Sequence, residues 1–492
     1  MREKGTARKV RIFLRPLNIK RGVSMYINKD LEEFKRYIKG KYVAVIGMGA
    51  SNIPLIRYLM DLDANITVFD KKTEEELDGS LCEEYALQGV KFSLGENYLD
   101  NLNGYDIIFR SPSMRPDHPA IERELNRGAI LTSEIEMLID LCPGKIIGIT
   151  GSDGKTTTTT LIYKMLVEDG YHCYLGGNIG TPLFAQIDEM RPEDIVVLEL
   201  SSFQLMTLKK SPNISVVTNV SPNHLDIHKS YEEYIEAKKN IFKYQKEDDV
   251  LVLNFDNDIT REMINEAKGK VRYFSTKVKL EDGVIIDSEM IKISEGKTRK
   301  QIINVDDILL LGAHNVENAC TAIAAIYDLV KPSSIVNVLK TFKGVEHRNE
   351  FVREVNGAKW YNDSIGSSPT RTIAGLLSFK DKVILMAGGY DKHLDYTELG
   401  KYIVAHVKTL ILMGQTKEKI KTATLQALSE LNENPESLPI IECTTLEEAV
   451  NEANKIAKSG DIVFFSPASA SFDMFKNFME RGNKFKELVS KL

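Results

Sequence analysis

The chain has 492 residues, of which 43% are hydrophobic and 27% are charged, so it can bury large cores. At ~150 residues per domain, this length predicts about three domains. A net charge of −6 argues against a nucleic-acid binder, and five scattered cysteines without a CxxC pair support neither a disulfide framework nor a zinc ribbon, so we expect a reducing, cytoplasmic compartment.

The start of the chain is basic, with eight Lys or Arg within the first 21 residues. Its longest apolar stretch, residues 12–14, is too short for the core of a signal peptide, and no run in the chain approaches the ~18 apolar residues that span a bilayer. We expect a solvated basic tail over residues 1–25, with a weak membrane or partner contact as the alternative, and a lead-in that ends at residue 40. Met25 is an alternative start.

Short runs rich in Val and Ile recur along the chain and predict buried strands. Helical patterns separate these runs, and this alternation predicts parallel, doubly wound sheets whose strands are covered on both faces. The predicted strands are residues 42–46, 66–69, 107–109, 146–149, 195–198, 215–218, 250–254, 383–386, 409–413 and 462–465. The clearest predicted helices are residues 230–245, 316–329, 445–458 and 472–490.

These elements group into an α/β fold with three domains. Residues 41–133 predict a Rossmann-like first domain, residues 134–344 a central domain of the P-loop ATPase type, and residues 345–492 a Rossmann-like C-terminal domain. Within the central domain, residues 270–307 are polar and alternating, which predicts a small antiparallel addition to the parallel sheet.

A turn with two glycines, Gly47 and Gly49, follows the first strand, and Asp70 ends the second. Such a turn lets a helix N-terminus face a phosphate or another polar group. Asn52 stands where a dinucleotide-binding motif has its third glycine, so three interpretations stay open: a bound nucleotide of some kind, NAD in a dehydrogenase, and a tight turn without a ligand.

A stronger motif, Gly-Ser-Asp-Gly-Lys-Thr-Thr, lies between the predicted strand 146–149 and an apolar helix. It is shorter than the usual phosphate loop, because Ile149 occupies the position of the first glycine. Glycines let consecutive N–H groups point at phosphate oxygens, Lys155 can neutralise the terminal phosphates, and the Thr156 hydroxyl can bind Mg²⁺. The predicted phosphate-binding residues are Gly151, Ser152, Asp153, Gly154, Lys155, Thr156 and Thr157.

Three further residues lie close to this loop in the predicted fold. Glu199 ends a strand beside the phosphate strand and can complete a Mg²⁺ shell, with a solvent-facing carboxylate as the alternative. His224 follows the next parallel strand and is either a ligand or structural. Lys238 shares a helix face with Tyr234 and Ile241 and can point inward, but from the residues alone an ordinary lysine that snorkels to solvent is the favoured interpretation.

Polar residues also follow strands later in the chain. Asn315 and Asn318 open a helix one turn apart and suit a base or a phosphate, and Arg348 can reach a phosphate across a domain boundary. In the third domain, Lys392 and Ser471 lie after strands, where such sheets bind ligands, and can hold a carboxylate there. A structural or solvated role is the alternative for each of these residues.

In combination these motifs resemble the Mur ligase family, over nearly the whole chain from about residue 40. GSDGKTTTT and HNxxN are similar to motifs shared across that family. GGNIGTP at 176–182, ELSSFQL at 199–205 and SPASASFDMFKNFMERG at 466–482 resemble the member that adds D-glutamate. The resemblance implies that ATP, UDP-N-acetylmuramoyl-L-alanine and D-glutamate react through an acyl phosphate to give ADP, phosphate and an amide.

The resemblance also implies roles for individual residues. Thr156 and Glu199 would bind one Mg²⁺, His224 would help bind a second, and Lys238 falls where the family carbamylates a lysine, which replaces the snorkelling interpretation. Lys155, His224 and Lys238 would be catalytic. The implied ATP contacts beyond the loop are Asn315, Asn318, Arg348 and Asp363; the implied UDP-sugar contacts are Gly49, Ala50, Ser51, Asp70, Ser111, Pro112, Asn178, Ser201 and Gln204; and the implied D-glutamate contacts are Lys392, Ser471 and Phe478.

The sequence departs from the family pattern at several positions. Ile365 and Gly366 stand where many relatives have Lys-Ala, which puts a contact to D-glutamate or phosphate in doubt, although Arg371 on the next helix can compensate. Asp153, Asn223 and Ser113 also differ. The rival interpretations are a ligase for another amino acid, an NAD-dependent dehydrogenase, and a silent nucleotide-binding regulator. We expect a monomer with small-molecule substrates, no nucleic acid and no stable membrane insertion.

Overall fold

Three β-sheets, each packed against helices, organise the part of the chain that the structure describes. The structure is a computed structural model and describes residues 27–492 except residue 78, residues 223–227, residue 311 and residue 393. The predicted basic tail over residues 1–25 therefore lies outside the described residues. The α/β architecture with three domains is confirmed, while the predicted domain boundaries stay a prediction.

The first sheet is parallel throughout, with the strand order β3-β2-β1-β4-β5. Its strands are covered on both faces, as the uninterrupted apolar runs predict. The elements are α1 Lys29–Ile38, β1 Tyr42–Ile46, α2 Asn52–Asp61, β2 Asn65–Asp70, α3 Gly79–Leu87, β3 Lys91–Leu94, β4 Ile107–Arg110, α4 Pro119–Leu125 and β5 Ile130–Thr132.

Helix α1 lies in the lead-in, where the sequence predicted no element. Leu31, Phe34 and Ile38 form one apolar stripe at helical spacing, and all three are buried in the core shared with the first sheet. The Asn28 side chain caps the helix by accepting a hydrogen bond from Leu31 N. The lead-in is therefore part of the folded first domain.

The central sheet has nine strands in the order β14-β13-β12-β11-β10-β9-β6-β8-β7. Its antiparallel pairs are β12–β13 and β13–β14, whereas β11 pairs parallel with both β10 and β12, so the antiparallel addition predicted for residues 270–307 begins after β11. The elements are α5 Glu134–Leu141, β6 Lys145–Thr150, α6 Lys155–Glu168, β7 Cys173–Gly177, β8 Ile195–Glu199, α7 Ser202–Leu205, β9 Ile214–Val217, α8 Tyr231–Lys243, β10 Val250–Asn254, α9 Asp258–Glu262, β11 Lys270–Ser275, β12 Asp282–Asp287, β13 Met290–Glu295, β14 Thr298–Asn304, α10 Ala313–Ile326 and α11 Pro332–Thr341, with 3₁₀ helices at Phe184–Glu189, Met263–Glu266 and Val305–Asp307.

The third sheet has the order β15-β16-β20-β17-β18-β19, and only β15 is antiparallel to its neighbour. The predicted helix 472–490 is shorter than expected, because Asn477 caps a helix that begins at Phe478 and turns precede it. The elements are β15 Glu350–Val355, β16 Ala358–Asn362, α12 Pro369–Leu376, β17 Val383–Ala387, α13 Thr397–His406, β18 Val407–Leu412, α14 Lys417–Glu430, β19 Ile440–Glu442, α15 Leu446–Ile456, β20 Ile462–Phe465 and α16 Phe478–Ser490, with a 3₁₀ helix at Pro435–Ser437.

A buried polar contact fastens the first domain to the central one. Arg110, at the end of β4, is 1% exposed, and its guanidinium donates to Phe203 O at 2.8 Å and to Thr207 Oγ1 at 2.9 Å. The Thr207 hydroxyl in turn donates to the Glu136 carboxylate. Arg115 adds an ion pair with Glu233 of α8 at 2.7 Å. Because a buried guanidinium without partners is costly, these bonds fix how the two domains meet.

None of the helices in the described ranges is both long and apolar enough to cross a membrane.

Candidate active site

The phosphate loop connects β6 to α6, and two of its glycines have conformations that other residues rarely adopt. Gly151 has φ +149°, and a Cβ there would lie 1.9 Å from the Thr218 hydroxyl oxygen. Gly154 has φ +78°, and its Cβ would lie 2.2 Å from the Asn318 Oδ1. The loop therefore needs glycine both for its backbone and for its close packing against β9 and α10.

Helix α6 begins at Lys155, three residues earlier than the apolar helix that the sequence predicted from Thr158. Lys155 Nζ folds back over the loop and donates to Gly151 O and Ser152 O, both at 2.9 Å. Burial lowers the pKa of Lys155, and Arg348 and Arg371 lower it further, whereas Glu199 and Asp153 act in the opposite direction. The ammonium thus lies at the meeting point of cations and carboxylates from two domains.

The side chain of Asp153, the acid that departs from the family pattern, is exposed. It does not cap α6, because Gly154 occupies the N-cap position. Its backbone is held by Asn219 and Thr218, which bond to Asp153 N and Asp153 O at 3.0 and 2.6 Å. The loop therefore keeps its shape without using this carboxylate.

Glu199 ends β8 directly beside the phosphate strand, in register with Ile149. It is 1% exposed; Oε1 accepts a hydrogen bond from Asn178 Nδ2 at 2.9 Å, while the buried Oε2 has no partner among the described residues. A buried carboxylate oxygen without a partner is costly unless a cation or a proton satisfies it. This donor fits Mg²⁺, and the half-buried Thr156 at the start of α6 supplies the hydroxyl that such a site needs.

Other metal ligands are scarce in this region. The described part of the chain holds no group of three or more His, Cys, Asp and Glu side chains that is arranged to bind a metal. His224, the predicted ligand of a second Mg²⁺, lies in the range 223–227 and thus outside the described residues. Its role stays a prediction.

Lys238 on α8 points into the protein and is 1% exposed, so the interpretation from the residues alone, a lysine that snorkels to solvent, is wrong. Its Nζ donates to Gly151 O at 2.8 Å and to Thr150 Oγ1 at 3.4 Å, and it lies 4.6 Å from the centre of the Tyr234 ring. Burial lowers the pKa of Lys238 well below its usual range, and the neighbouring Lys155 lowers it further. Burial and the charge of Lys155 thus both favour the neutral form of this amine, which lies directly beneath the phosphate loop.

The segment that carries His224 is flanked by a buried histidine. His228 is 3% exposed; its Nε2 lies 2.9 Å from Ser202 Oγ, and its ring stacks on Phe203 at 5.0 Å. The Nδ1 faces Glu233 at 3.5 Å, and the bond from Arg115 lowers the pKa of that carboxyl to about 2. The sequence analysis did not identify His228 as a buried residue, and its only signal in the sequence is its closeness to His224.

The two predicted amides on α10 meet the phosphate loop. Asn315 and Asn318 are both buried, and Asn318 Nδ2 donates to Asn315 Oδ1 at 3.2 Å. Asn318 Oδ1 accepts from the Thr158 hydroxyl at 3.3 Å. The start of α10 thus adjoins the start of α6. Burial lowers the pKa of the neighbouring His314, and Arg348 of the third domain lowers it further.

Asp363 brings the third domain to the same place. It follows β16, is 4% exposed, and accepts hydrogen bonds from Ser466 Oγ at 2.7 Å and Asn349 N at 3.2 Å. Burial raises the pKa of Asp363 to about 6, although these bonds and the nearby Arg348 oppose the shift. A Cβ at Gly366 would lie 2.5 Å from Asp363 Oδ2, which explains why glycine rather than alanine stands there.

The glycine turn of the first domain is braced from within. Asp70 accepts hydrogen bonds from Met48 N at 2.7 Å and Lys72 N at 2.9 Å. Asn52, in place of a third glycine, donates to Gly47 O at 2.8 Å. Ser111 lies beside this turn, with its hydroxyl 3.0 Å from Ser113 Oγ. The predicted UDP-sugar contacts Gly49, Ala50, Ser51, Asp70, Ser111 and Pro112 therefore surround one strand-to-helix turn.

The other predicted sugar-side residues lie at the carboxyl ends of the neighbouring strands β7 and β8. Ser201 and Gln204 form a capping box at α7, with Ser201 N donating to Gln204 Oε1 at 2.9 Å. Asn178 bonds to Glu199, as described above. These bonds fix the edge of the site that faces the first domain.

The predicted D-glutamate residues lie at the carboxyl ends of β17 and β20. Lys392 is exposed, with Nζ 5.6 Å from the centre of the exposed Phe472 ring, whereas Ser471 is 2% exposed. Phe478 is half-buried at the start of α16, and its carbonyl accepts from Ser364 Oγ at 2.7 Å.

Sequence reasoning missed Arg481, which organises this loop from behind. It is 2% exposed and donates to the carbonyls of Ser469, Ala470 and Ser364 at 2.8–3.0 Å. Burial lowers its pKa to about 10. Its spacing from Phe485 and Leu488 places it on the buried face of α16, and that periodicity was the available signal.

The chain matches known protein families in each of its three domains. The family model described as Mur ligase middle domain matches residues 149–326, that of the Mur ligase glutamate ligase domain matches residues 347–469, and that of the MurD-like N-terminal domain matches residues 41–133. The UDP-N-acetylmuramoylalanine–D-glutamate ligases of Acetivibrio thermocellus and Clostridium novyi are 57% and 53% identical over 466 residues, which cover 95% of this chain and 100% of each relative.

Solved structures agree on the fold. UDP-N-acetylmuramate-alanine ligase MurC from Thermotoga maritima aligns with a TM-score of 0.56 at 17% identity over 92% of this chain and 99% of that one. MurF from Acinetobacter baumannii aligns with a TM-score of 0.54 at 16% identity over 92% of both chains.

Proposed function

The chain belongs to the Mur ligase family, and within it we propose an ATP-dependent ligase that adds D-glutamate to UDP-N-acetylmuramoyl-L-alanine in the synthesis of a peptidoglycan precursor. Relatives that are more than half identical over their whole length carry that name. The observation that supports the proposal is that the third domain meets the phosphate loop: Arg348 and Arg371 act both on Lys155 of the loop and on the buried Asp363. A phosphoryl acceptor and an amine can meet there.

The reaction needs two bond exchanges. An oxygen of the acceptor carboxylate attacks the γ-phosphorus of ATP, the bond to the bridging oxygen breaks, and ADP leaves with that electron pair. The D-glutamate amine then attacks the carbonyl carbon and loses a proton, and phosphate leaves as the amide forms. Because carboxylate and triphosphate are both anions, Lys155 and Arg348 serve by neutralising and positioning them rather than by covalent catalysis.

Mg²⁺ is the cofactor that the site suits. When bound it neutralises phosphate charge and aligns the terminal phosphates. Thr156 and the unpaired Oε2 of Glu199 would hold one ion, and His224 with a modified Lys238 would help hold a second. The contact from Asn178 to Oε1 orients the Glu199 carboxylate for that purpose.

We assign Lys238 as a carbamate in the active enzyme. Only a neutral amine adds CO₂, and burial beside Lys155 favours the neutral form of this amine. The addition forms an N–C bond and releases one proton, so the group changes from neutral to anionic. The new anion then lies near Lys155, which offsets its charge in the buried site.

The substrates divide between the domains. The first domain would hold the uridine nucleotide at the turn after β1, with Asn178, Ser201 and Gln204 near the muramoyl-alanine end. Lys392, Ser471 and Phe478 would hold D-glutamate on the third domain. All five cysteines lie in the described part of the chain and are free thiols, which suits the cytoplasmic compartment that we propose. A monomer stays a prediction.

The test is phosphate release from ATP with UDP-N-acetylmuramoyl-L-alanine and, in turn, D-Glu, L-Glu, L-Ala, L-Lys and meso-diaminopimelate. Turnover with D-Glu alone is the expected result, and turnover with another amino acid would place the error in the third domain. Lys155→Ala is the control and should abolish release, because the phosphate loop loses its cation. Release that persists in this variant, or a wild-type protein silent with every amino acid, would contradict the proposal and favour the regulator.

A further inference from the structure

Arg371 lies in the first turn of α12, directly after the loop that carries Asp363. The next residue, Thr372, is fully buried, and its hydroxyl lies 2.7 Å from Ser466 Oγ, which itself donates to Asp363 Oδ2 at 2.7 Å. The backbone of this turn is therefore fixed relative to the carboxylate at the end of β16. The buried contacts of Thr372 and Ser466 therefore fix the position of the Arg371 backbone and the direction of its Cα–Cβ bond.

The arginines of the third domain fall into two classes. Arg481 and Arg353 both donate hydrogen bonds to backbone carbonyls. Among the described residues, the guanidinium groups of Arg348 and Arg371 have no hydrogen bond or ion pair. An arginine without a partner is common on an open surface, but these two act on the same lysine, Lys155 of the phosphate loop.

Arg371 is exposed, and the charged groups that act on it come from two domains. Its side chain is reached by solvent, yet protein surrounds it closely enough that burial lowers its pKa; Arg348 lowers it further, and Asp363, Glu199 and Asp153 act in the opposite direction. Glu199 and Asp153 belong to the ATP side of the central domain. Two unpaired guanidinium groups that repel each other are stabilised when an anion lies between them.

We propose that Arg371 binds the phosphoryl group that passes from ATP to the acceptor carboxylate, a role that rests on the proposed function. A guanidinium presents two parallel N–H donors, which match two oxygens of a phosphoryl group. The transferring group carries charge that Lys155 alone does not offset, and Ile365, in the loop before α12, offers no cation. Arg371 stays protonated throughout, and the bonds that form and break are those of the transfer described above.

The alternative ligand for Arg371 is a carboxylate of D-glutamate. The charges around Arg371 favour the phosphoryl group, because they include Glu199, whose unpaired oxygen marks the metal side of the ATP site. Each ligand predicts a different kinetic signature, so the two can be separated.

The first experiment measures equilibrium binding of ADP and of a β,γ-imido ATP analogue, both with Mg²⁺, to the wild type and Arg371→Ala. We expect the variant to lose analogue affinity by ~10-fold or more, since a charge-assisted bond to a phosphate is lost, while ADP affinity stays within about twofold. Arg353→Ala is the matched control and should change neither. An equal loss for both nucleotides, or no loss for the analogue, would overturn the proposal.

The second experiment is steady-state kinetics on the same variants together with Arg371→Lys. We expect Arg371→Ala to lower kcat with little change in KM for D-Glu, and Arg371→Lys to recover part of the loss. A variant that only raises KM for D-Glu would overturn the phosphoryl assignment. Melting temperatures should match the wild type, because Arg371 has no partner to lose. The nucleotide comparison needs no acceptor, so a wild type that binds both nucleotides but turns over nothing contradicts the proposed function alone.

Discussion

Removal of the Lys238 side chain separates a structural role from a catalytic one. In Lys238→Met the protein loses the bond from Nζ to Gly151 O at 2.8 Å, but that carbonyl keeps its bond from Lys155 Nζ at 2.9 Å. One neutral hydrogen bond contributes ~1 kcal/mol net, so the free energy of unfolding should fall by about that amount or less. A lysine that served only packing would thus leave activity nearly intact.

If the carbamate organises metal and phosphate, the same variant should lose activity by ~100-fold or more. Lys238→Ala also removes roughly three buried methylenes. At ~0.8 kcal/mol per methylene, the free energy of unfolding should fall by a further ~2 kcal/mol. The space that these methylenes leave can hold a small anion. Added acetate or propionate should then restore part of the activity. Lys239→Ala is the control, because its ammonium is paired with Glu236 and Glu266 outside the site.

The assay is phosphate release with increasing carboxylate, run beside thermal melts of each variant. Wild-type activity should also fall after CO₂ is stripped and return with bicarbonate. A fully active Lys238→Met would refute the reasoning outright. Loss of activity without rescue and without any response to bicarbonate would show that Lys238 matters for another reason.

Three further outcomes are expected. Glu199→Gln should raise the Mg²⁺ concentration needed for half-maximal turnover by ~10-fold or more, because a buried anionic oxygen is lost, and an unchanged Mg²⁺ titration would remove Glu199 from the metal site. Gly154→Ala should weaken ADP binding by ~10-fold or more, because φ is +78° there and the added Cβ would lie 2.2 Å from Asn318 Oδ1. Gly170→Ala is the control: φ is +97° and no atom lies within 4 Å of the added Cβ. This control should lose only ~1 kcal/mol of stability and keep its ADP affinity. Burial raises the pKa of Asp363 from 3.8 to about 6, so between these pH values the folded state keeps a proton that the unfolded state has released. The free energy of unfolding should therefore fall by ~3 kcal/mol as the pH rises from 3.8 to about 6. In denaturant titrations, Asp363→Asn should flatten that pH dependence.

The fold class and the phosphate loop could be predicted from the sequence, because they depend on residues that are close together in the chain. Val- and Ile-rich runs separated by helical patterns individually predicted ten of the twenty strands that the structure describes, with at least three in each sheet, and β1 and β10 have the predicted bounds. Lys155 and its flanking glycines needed only the sequence spacing. The loop conformation follows from the missing Cβ atoms, whatever the rest of the chain does.

Two features could not be predicted from the sequence because they depend on distant packing. Helix α1 was hidden by the basic segment before it, although Leu31, Phe34 and Ile38 have helical spacing. Arg481 looked like a surface arginine, yet the carbonyls that bind it come from two separate loops.

The sequence by itself determined the order of the elements, the phosphate loop and the strand ends at which functional side chains cluster, since periodicity and backbone sterics act over a few residues. Only the tertiary structure decided that Lys238 is buried, that one oxygen of Glu199 has no partner among the described residues, and that Arg348 and Arg371 lower the pKa of Lys155. The physical reason is that desolvation and charge depend on every group within several ångströms, and those groups come from distant parts of the chain, as Gly151 does for Lys238 and Arg348 does for Lys155.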